Sequence, residues 1–597
     1  MKKIFNREVI NFILSMFILL GLSFYFTTCY LDRDIYFSLL RWDVIILNVV
    51  PIFSFLLIFY LLTKRLWTSY GINFIIISIL GLINQNKLIY RDDVLKLEDF
   101  SLVFETWKML ERYKVSISLV TIFVLIVCIL WGVYLFNTRR KCEIKTKDRW
   151  LIIGLIILFM ITNNHLVYQR EFFWNKVGDK SNINQWVETR QCQIRGLIYP
   201  LIYTMYDGLE TPPDGYKEKE VEEILSKYEE DTIPEDKKVN VIAIMLEAYN
   251  DFSVFEDEIP FTEDIYKGWH EIENKSIHGR LVTTVFGGGT IETERAFLTG
   301  MQKHPSYRKP TNSFVWYFKN NGYYTEALHP IIGSFYNRIT ADSNMGFDDF
   351  FYYENRLAAI QEDYMMDKEF FEVIKEDFEK TKEEGKPLFS FSVTYQNHGP
   401  YFDEDYEGKE FYFTKKNWMS DEVYNLINQY FSGVKETTLA AKDLVDYFDK
   451  EEEPVIVVMF GDHKPYLGDN MVGYDELNIY INAFKEEGFL NTYSTPFIIH
   501  LNESAERLLS CPSSGDAGDI SPIYLMDEIF DVMGVNGSSF AQYLRDTKKS
   551  IPVITDTFIN YKGKYEVFDK NSNPEAAKII DEYKKVNYFN MTKFNEK

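Results

Sequence analysis

Three short segments of the chain carry residue types that can perform metal-assisted chemistry. Glu247 follows the apolar run 239–246, Thr290 follows three consecutive glycines, and Asp462-His463 follows the apolar run 455–460. Carboxylate, hydroxyl and imidazole groups together can bind a divalent cation, with Mn²⁺, Mg²⁺ and Zn²⁺ all possible. A threonine hydroxyl is a poor nucleophile at neutral pH unless a metal or a base assists it. The set therefore predicts a metal site with Thr290 as the catalytic nucleophile.

The three glycines before Thr290 predict a loop that leads into a helix. Residues 286–290 read Phe-Gly-Gly-Gly-Thr, and a helical pattern follows them. Backbone N–H groups at such a helix start can hold phosphate oxygens. Each motif alone also fits a structural interpretation, as a loop and helix cap or as a structural Asp-His pair. Their joint occurrence favours a functional site.

Apolar runs that alternate with helical patterns predict how these segments come together. Continuous apolar runs are typical of strands that are buried on both faces. Strands that alternate with helices predict a largely parallel α/β sheet with its site at the carboxyl ends of the strands. The predicted strands are 239–246, 387–395, 455–460 and 495–500, and the predicted helices are 364–379 and 421–451.

Before residue 165 the sequence is dominated by apolar stretches that predict a membrane domain. A helix needs about 20 apolar residues to cross a bilayer, and somewhat shorter spans are tolerated. A cleavable signal peptide does not fit, because the first stretch is long and no small-residue cleavage site follows it. The five predicted spans are 8–27, 43–63, 70–84, 117–136 and 149–165, of which 70–84 gives the weakest signal.

The composition of the loops predicts the orientation of the spans and the order of the domains. Lys and Arg mark the cytoplasmic side of short loops. They cluster before the first span, between the second and third, and between the fourth and fifth: Lys2, Lys3, Arg7, Lys64, Arg65, Arg139, Arg140, Lys141, Lys145, Lys147 and Arg149. Five spans then place the remainder outside the cell. The predicted domains are a membrane domain at 1–165, a connector with helices at 166–235, a catalytic domain at 236–550 and a C-terminal extension at 551–597.

Charge and cysteine content restrict the partners. The formal net charge of −24 argues against a nucleic-acid partner. It also means that an anionic substrate must be attracted locally, by a metal or by a few placed cations. Cys192 and Cys511 are the two cysteines of the exported part and could pair, although the sequence carries no information about their separation.

In these motifs the chain resembles the lipoteichoic acid synthase family. Members of that family are sulfatase-like membrane phosphoglycerol transferases of the alkaline-phosphatase superfamily. The resemblance covers almost the whole chain, from five spans through a connector to an α/β sulfatase-like, alkaline-phosphatase-type domain. It implies that a metal, most often manganese, is held by Glu247, Thr290, Asp462 and His463. The Cys/Ser-x-Pro-x-Arg pattern of true sulfatases is missing around Thr290, so sulfate ester hydrolysis is not expected.

The resemblance also implies residues that contact the substrate. Asn397-His398-Gly399-Pro400-Tyr401 resembles a family motif whose histidine faces the substrate phosphate. Phe335-Tyr336-Asn337-Arg338 resembles a segment that grips glycerol phosphate, although Tyr336 stands where the family has tryptophan. Arg338 suits this role because a guanidinium pairs with phosphate through two hydrogen bonds. His329 matches another pocket histidine of the family.

Other polar residues near these motifs are expected to be structural. Glu292 and Glu294 are interpreted as carboxylates that favour the first turn of a helix. The histidines without motif support are expected to have surface or satisfied structural roles: His165, His270, His278, His304 and His500.

The function implied is transfer of a phosphoglycerol group from a membrane lipid, phosphatidylglycerol, through a phospho-threonine intermediate to a cell-envelope polymer or glycolipid. The protein is expected in the plasma membrane of a Gram-positive bacterium, with an anionic or polysaccharide envelope acceptor. Two alternatives within the superfamily are phosphoethanolamine transfer and phosphodiester hydrolysis. An alternative of another class is a non-catalytic membrane protein that binds an anionic polymer.

Overall fold

The computed structural model divides the chain into two compact units, Met1–Glu210 and Thr211–Lys597. It describes residues 2–28, 33–91, 94–96, 117–138, 144–179, 188–205, 212–305, 307, 309–333, 335–360, 365–401, 410–468, 471–569 and 572–594. The basic residues predicted at 139–141 lie outside the described residues.

Among its described residues, the first unit has five helices that are long and apolar enough to cross a membrane, which confirms the predicted number. They are Lys2–Tyr25, Trp42–Thr63, Leu66–Arg91, Leu119–Thr138 and Thr146–Asn163, and a shorter helix, Arg33–Leu39, precedes the second of them. The weakest predicted span, 70–84, belongs to the 26-residue helix Leu66–Arg91. The helix continues through polar residues because their side-chain amides are hydrogen-bonded. Asn84 donates to the Phe26 carbonyl at 2.9 Å, and Gln85 donates to the Thr28 carbonyl at 3.0 Å.

After the fifth long helix, the part of the first unit that the structure describes contains a short π-helical turn and three short helices: Asn164–Tyr168, Glu171–Lys176, Glu188–Gln193 and Ile198–Tyr203. Asn48, buried on the second long helix, accepts the backbone N–H groups of Ile198 and Tyr199, each at 3.1 Å. It also donates to the Arg195 carbonyl at 2.8 Å. These bonds attach the segment to the helix bundle of the same unit.

The second unit is built on an eight-stranded mixed sheet, which confirms the predicted α/β class. The strands are β1 Asn240–Leu246, β2 Ile277–Val282, β3 Tyr324–His329, β4 Asp349–Tyr352, β5 Leu388–Val393, β6 Val455–Gly461, β7 Ser494–Leu501 and β8 Gly515–Ile520. Their order in the sheet is β4-β3-β5-β1-β6-β7-β2-β8. Strand β7 runs antiparallel to both neighbours, and the other described pairings in this sheet are parallel.

Both faces of this sheet are covered, and strand β1 shows how. Val241, Ala243 and Met245 belong to one hydrophobic core, whereas the alternate residues Ile242 and Ile244 belong to a second one. Successive side chains of a strand point to opposite faces, so a strand covered on both faces must be apolar throughout. This explains why the four predominantly apolar runs were recognisable as strands from the sequence.

Helices cover the sheet, and a small second sheet follows it. The α-helices of the second unit are Glu218–Leu225, Lys267–Glu273, Thr290–Thr299, Phe314–Asn320, Arg338–Met345, Asp367–Glu383, Asp421–Phe448, Val472–Leu477, Glu486–Tyr493, Glu503–Leu509, Leu525–Met533, Ser539–Lys548 and Pro574–Thr592. The second sheet is antiparallel, with β9 Val553–Ile554, β10 Phe558–Tyr561 and β11 Lys564–Val567. Ile580 and Tyr583 of the last helix pack into the first core, so the C-terminal segment is part of the packed unit.

Candidate metal and nucleophile site

The register of two neighbouring parallel strands brings the two predicted carboxylates together. Leu246 at the end of β1 pairs with Gly461 at the end of β6. The next residues, Glu247 and Asp462, therefore leave the same edge of the sheet side by side. Both are buried, at 3% and 0% exposure.

His463 and Thr290 complete a compact cluster with these carboxylates. Ligand atoms of Glu247, Asp462 and His463 all lie within 4.8 Å of one another. The Thr290 hydroxyl oxygen lies 3.2 Å from Glu247 Oε2 and 3.3 Å from His463 Nε2. All four residues predicted as metal ligands thus converge, although they come from three distant parts of the chain.

The glycine loop places Thr290 at the first position of the helix Thr290–Thr299. Gly289, which precedes it, has a φ of +86°, and a Cβ there would lie 2.8 Å from a methyl carbon of Val285. A glycine is required because an L side chain would be both strained and obstructed. Thr293, one turn into the helix, donates to the Asp462 carbonyl at 2.8 Å and so fixes the helix against the end of β6.

The His463 imidazole is oriented by a backbone carbonyl. Its Nδ1 lies 2.9 Å from the carbonyl oxygen of Lys464, which can only accept a hydrogen bond. Nδ1 therefore carries the proton in the neutral ring, and Nε2 presents a lone pair to the cluster. The same Lys464 carbonyl accepts the backbone N–H of Gly287 at 3.0 Å, which links the histidine to the glycine loop.

The electrostatics of the cluster fit a divalent cation. The His463 lone pair faces Asp462 Oδ2 at 3.2 Å, and this buried oxygen accepts no hydrogen bond from any described residue. Burial and the Asp462 carboxylate raise the pKa of Glu247 to about 8. Buried carboxylates that face a lone pair are costly unless a positive charge compensates them. Two carboxylates, a hydroxyl and an imidazole form a donor set that suits Mn²⁺, Mg²⁺ or Zn²⁺.

Arg338 is buried, and one edge of its guanidinium is bound by another side chain. Its Nε and Nη2 donate to Glu294 Oε2 at 3.0 Å and 2.7 Å. The guanidinium carbon also lies 5.3 Å from the centre of the Tyr336 ring, and Tyr336 is 41% exposed. Glu294 was interpreted as a carboxylate that favours the first turn of a helix, but it lies beyond that turn, and its 1% exposed side chain is bound to Arg338.

The two other predicted substrate residues, His398 and His329, both contact the Tyr395 ring. The His398 ring is exposed and stacks on Tyr395 with 4.6 Å between ring centres. The His329 ring lies edge-on at 6.2 Å, is buried, and its Nδ1 contacts the Val393 carbonyl at 2.9 Å. Burial and the positive charge of Arg338 hold the pKa of His329 well below its usual value. Among the described residues, neither imidazole hydrogen-bonds to the four-residue cluster.

The remaining histidines in the second unit have ordinary partners. His270 contacts Asp251 at 2.9 Å and His500 contacts Asp449 at 2.7 Å. Neither Cys192 nor Cys511 forms a disulfide bond with any described residue.

Comparison with known proteins identifies the domain that carries this cluster. Residues 239–535 match the model of the Sulfatase family. This segment is similar to that family, and the predicted resemblance to a sulfatase-like domain is confirmed. It contains Glu247, Thr290, Asp462 and His463, together with the sheet that positions them.

Among curated proteins, the chain is 23% identical over 521 residues to a Rhizobium meliloti protein named for cyclic β-1,2-glucan modification, covering 84% of this chain and 79% of that one. Among solved structures, the phosphoglycerol transferase GacH of Streptococcus pyogenes matches with a TM-score of 0.50 and 18% identity, over 63% of this chain and 94% of that one. The lipoteichoic acid synthase LtaP of Listeria monocytogenes matches with a TM-score of 0.44 and 15% identity, over 62% and 97%. The likeness to GacH confirms the predicted fold, and the expected Gram-positive origin gains no support from these relatives.

Proposed function

We propose that the protein is a membrane-anchored, metal-dependent transferase that moves a phosphoglycerol-type group from phosphatidylglycerol to a hydroxyl of a cell-envelope polymer or glycolipid. The observation that carries this proposal is the convergence of the Thr290 hydroxyl with Glu247, Asp462 and His463 at the carboxyl edge of a sulfatase-family sheet. A cation bound by these four residues would lower the pKa of the threonine hydroxyl and neutralise charge on the phosphoryl group.

The proposed reaction proceeds in two balanced steps. The Thr290 oxygen forms a bond to the lipid phosphorus, the bond from phosphorus to the diacylglycerol oxygen breaks, and the hydroxyl proton ends on the released diacylglycerol. The hydroxyl of the acceptor then attacks the glycerophospho-threonine, and its proton returns to the Thr290 oxygen. Thr290 therefore starts and finishes as a free hydroxyl, and the net reaction exchanges one alcohol for another.

Other residues near the cluster have roles that do not require covalent chemistry. The start of the helix Thr290–Thr299 offers backbone N–H groups to phosphoryl oxygens. Arg338 carries the positive charge that the strongly acidic chain does not supply globally. The exposed ring of His398 is proposed to anchor the phosphate or to move a proton between the two alcohols. Anchoring the chain in the membrane holds the site near a donor that cannot leave the bilayer.

The names of the relatives support an envelope acceptor. GacH is called a phosphoglycerol transferase and was solved with sn-glycerol-1-phosphate, and the Rhizobium meliloti relative is named for glucan modification. A glycan hydroxyl is therefore the acceptor class that we favour. The metal is proposed to be Mn²⁺, in line with the oxygen-rich donor set and the family resemblance.

The donor head group is tested by comparing two lipids in one assay. The full chain in lipid nanodiscs is supplied with Mn²⁺ and with fluorescent phosphatidylglycerol or fluorescent phosphatidylethanolamine, and release of diacylglycerol is measured. Release from phosphatidylglycerol alone is expected. Release from phosphatidylethanolamine alone would identify that lipid as the donor. Tyr336, which stands where the family has tryptophan, would then be the residue that suits the different head group. No release from either lipid would contradict the proposal and favour a non-catalytic binding protein.

A matched variant pair connects this activity to the cluster. Thr290→Ala removes the proposed nucleophile, whereas Thr299→Ala removes a buried hydroxyl at the other end of the same helix. Thr299 donates to the Arg295 carbonyl of its own helix at 2.6 Å and accepts the backbone N–H of Met301 at 3.2 Å. Thr299→Ala is expected to retain diacylglycerol release and Thr290→Ala to lose it.

A further inference from the structure

A group of buried charges lies behind the proposed nucleophile. Its four members are at most 3% exposed, and two are carboxylates and two are guanidinium groups: Glu294, Arg295, Arg338 and Asp342. Removing a charge from water costs several kcal/mol unless partners compensate it. Burying these four charged side chains therefore costs more free energy than burying apolar ones, and their hydrogen bonds indicate the role of the group.

Glu294 connects this group to the nucleophile through the helix Thr290–Thr299. Residues four apart on a helix lie on the same side of it, so the Glu294 side chain lies one turn beyond Thr290 along the same side. Its Oε2 accepts both Nε and Nη2 of Arg338, at 3.0 Å and 2.7 Å. One carboxylate oxygen thereby holds one whole edge of the guanidinium.

The opposite edge of Arg338 is left without a partner. Its Nη1 is buried and receives no hydrogen-bond acceptor among the described residues. A buried N–H group without an acceptor costs about 1–3 kcal/mol. A charged donor kept in this state, beside a candidate metal cluster, fits an anion that arrives from outside the chain.

The backbone that precedes Arg338 is strained, and this also indicates a ligand-binding role for Arg338. The two residues before it, Tyr336 and Asn337, both have a φ of +55°. For tyrosine this region costs about 1–2 kcal/mol, whereas asparagine adopts it more readily. Strain of this kind persists where the surrounding structure imposes it, and it is common at ligand-binding segments. Here it places Arg338 at the first position of the helix Arg338–Met345.

We propose that Glu294 is a positioning residue, which holds the Nε–Nη2 edge of Arg338 so that Nη1 remains free for a non-bridging oxygen of the substrate phosphoryl group. This inference rests on the proposed function, since it assumes that the group transferred at Thr290 is a phosphoryl group. It adds a physical link between nucleophile and anion anchor, because one helix carries both Thr290 and Glu294.

The competing explanation is an ion pair that only stabilises the fold. The chain offers a matched example in Arg545 and Asp527, which pair at 2.8 Å with Asp527 1% exposed. Neither residue belongs to the site. Breaking that pair with Asp527→Asn should lower the melting temperature and leave anion binding unchanged. Breaking the Glu294–Arg338 pair should change anion binding itself.

The test measures binding of inorganic phosphate to the full chain in nanodiscs loaded with Mn²⁺, by isothermal titration calorimetry. Glu294→Gln keeps the shape of the side chain and removes its charge, so we expect the phosphate Kd to rise about 10- to 100-fold, the range that misplaced binding groups typically cause. Arg338→Met should raise it at least as much. In the double variant, adding Glu294→Gln should cause no further loss, because Glu294 acts through Arg338. Binding of Mn²⁺ should be unchanged in all three.

The inference is overturned if Glu294→Gln binds phosphate like the wild type, if its loss adds in full to that of Arg338→Met, or if Asp527→Asn weakens phosphate binding equally. If Glu294→Gln does not fold, Glu294→Asp takes its place, since it keeps the charge but shortens the reach, and it should also weaken phosphate binding. Inorganic phosphate needs no lipid donor, so a wild type that binds phosphate but releases no diacylglycerol would contradict the proposed function alone.

Discussion

The two oxygens of Asp462 have different surroundings. Oδ1 accepts the backbone N–H groups of Ala248 and His463, each at 2.8 Å. Oδ2 accepts none from the described residues and faces the His463 ring nitrogen instead. The first oxygen fixes the carboxylate and the second is presented for a ligand, as expected of a residue that binds a cation.

This arrangement predicts that a metal stabilises the fold through Asp462. Adding Mn²⁺ at about 100 times its Kd should stabilise the wild type by about 2.7 kcal/mol, and EDTA should reverse the effect. Asp462→Asn should lose most of this gain, measured as the Mn²⁺-dependent rise in melting temperature. Asp449→Asn is the matched control, because Asp449 also contacts a histidine, His500, outside the cluster. An equal rise in wild type and Asp462→Asn would contradict the assignment.

At the residue scale, the proposed metal ligands could be predicted from the sequence, whereas the residues that surround them were harder to predict. Glu247, Thr290 and Asp462-His463 stand where strands end or a helix begins, and such positions are visible in a hydrophobic pattern. Glu294 was missed because its partner Arg338 is 44 residues away and reaches it only through the tertiary fold. The available signal was the four-residue spacing from Thr290, which places Glu294 on the nucleophile side of the helix.

The glycine loop is the element that positions the nucleophile. Its Gly289 meets two constraints, a positive φ and a lack of space for a Cβ, and Gly385 meets only the first of them. Gly289 and Gly385 both have positive φ values, +86° and +67°, but a Cβ clashes with Val285 only at Gly289. Both substitutions to alanine should cost about 1 kcal/mol or more of stability. Gly289→Ala should in addition reduce diacylglycerol release by at least tenfold, whereas Gly385→Ala should not. Equal activities would show that the position of the helix Thr290–Thr299 does not depend on this loop.

The first residue of the helix Asp367–Glu383 predicts a pH dependence of stability. Burial raises the pKa of Asp367 to about 7, and its Oδ2 accepts the Thr437 hydroxyl at 2.5 Å. The native state therefore holds a proton that the unfolded state releases above its ordinary pKa near 4. Its contribution to stability is greatest at low pH, falls as the pH rises from about 4 to 7, and is constant above that.

Asp367→Asn should remove this penalty, since asparagine is neutral and can still accept from Thr437. The variant should be more stable than the wild type by an amount that is larger at pH 8 than at pH 5, on the order of a few kcal/mol at most. Thermal unfolding of the full chain measures it. Asp421→Asn is the control, because Asp421 begins the helix Asp421–Phe448 with an 89% exposed side chain. Equal shifts at both pH values would contradict the account.

At the element scale, burial decided which strands could be predicted. Strands β1, β5, β6 and β7 are almost entirely buried and were recognised as apolar runs. Strand β8 reads Gly-Asp-Ala-Gly-Asp-Ile and is partly exposed at the edge of the sheet, so its composition resembles a loop. The antiparallel direction of β7 was not predicted, because the apolar pattern of a strand carries no information about its direction relative to its neighbours.

At the scale of the whole molecule, the five long helices and the basic loops make a topology prediction. Arg65, between the second and third helices, should face the cytoplasm, whereas Glu384 of the second unit should face the outside. Single cysteines at these two exposed positions, in a background without the five native cysteines, test it in intact cells. A membrane-impermeant maleimide should label only the cysteine at 384. Labelling of the cysteine at 65 alone would invert the topology and contradict an extracellular site.

The proposed transfer mechanism depends on one covalent bond, between the Thr290 oxygen and phosphorus. Its most direct test is intact-mass spectrometry of the full chain after brief incubation with Mn²⁺ and phosphatidylglycerol, without an acceptor, beside Thr290→Ala and Thr299→Ala. The wild type and Thr299→Ala should gain the mass of one glycerophosphoryl group, located at residue 290 by peptide fragmentation, and Thr290→Ala should gain nothing. An equal gain in Thr290→Ala, or release of diacylglycerol by that variant at the wild-type rate, would contradict the assignment of Thr290 as the nucleophile.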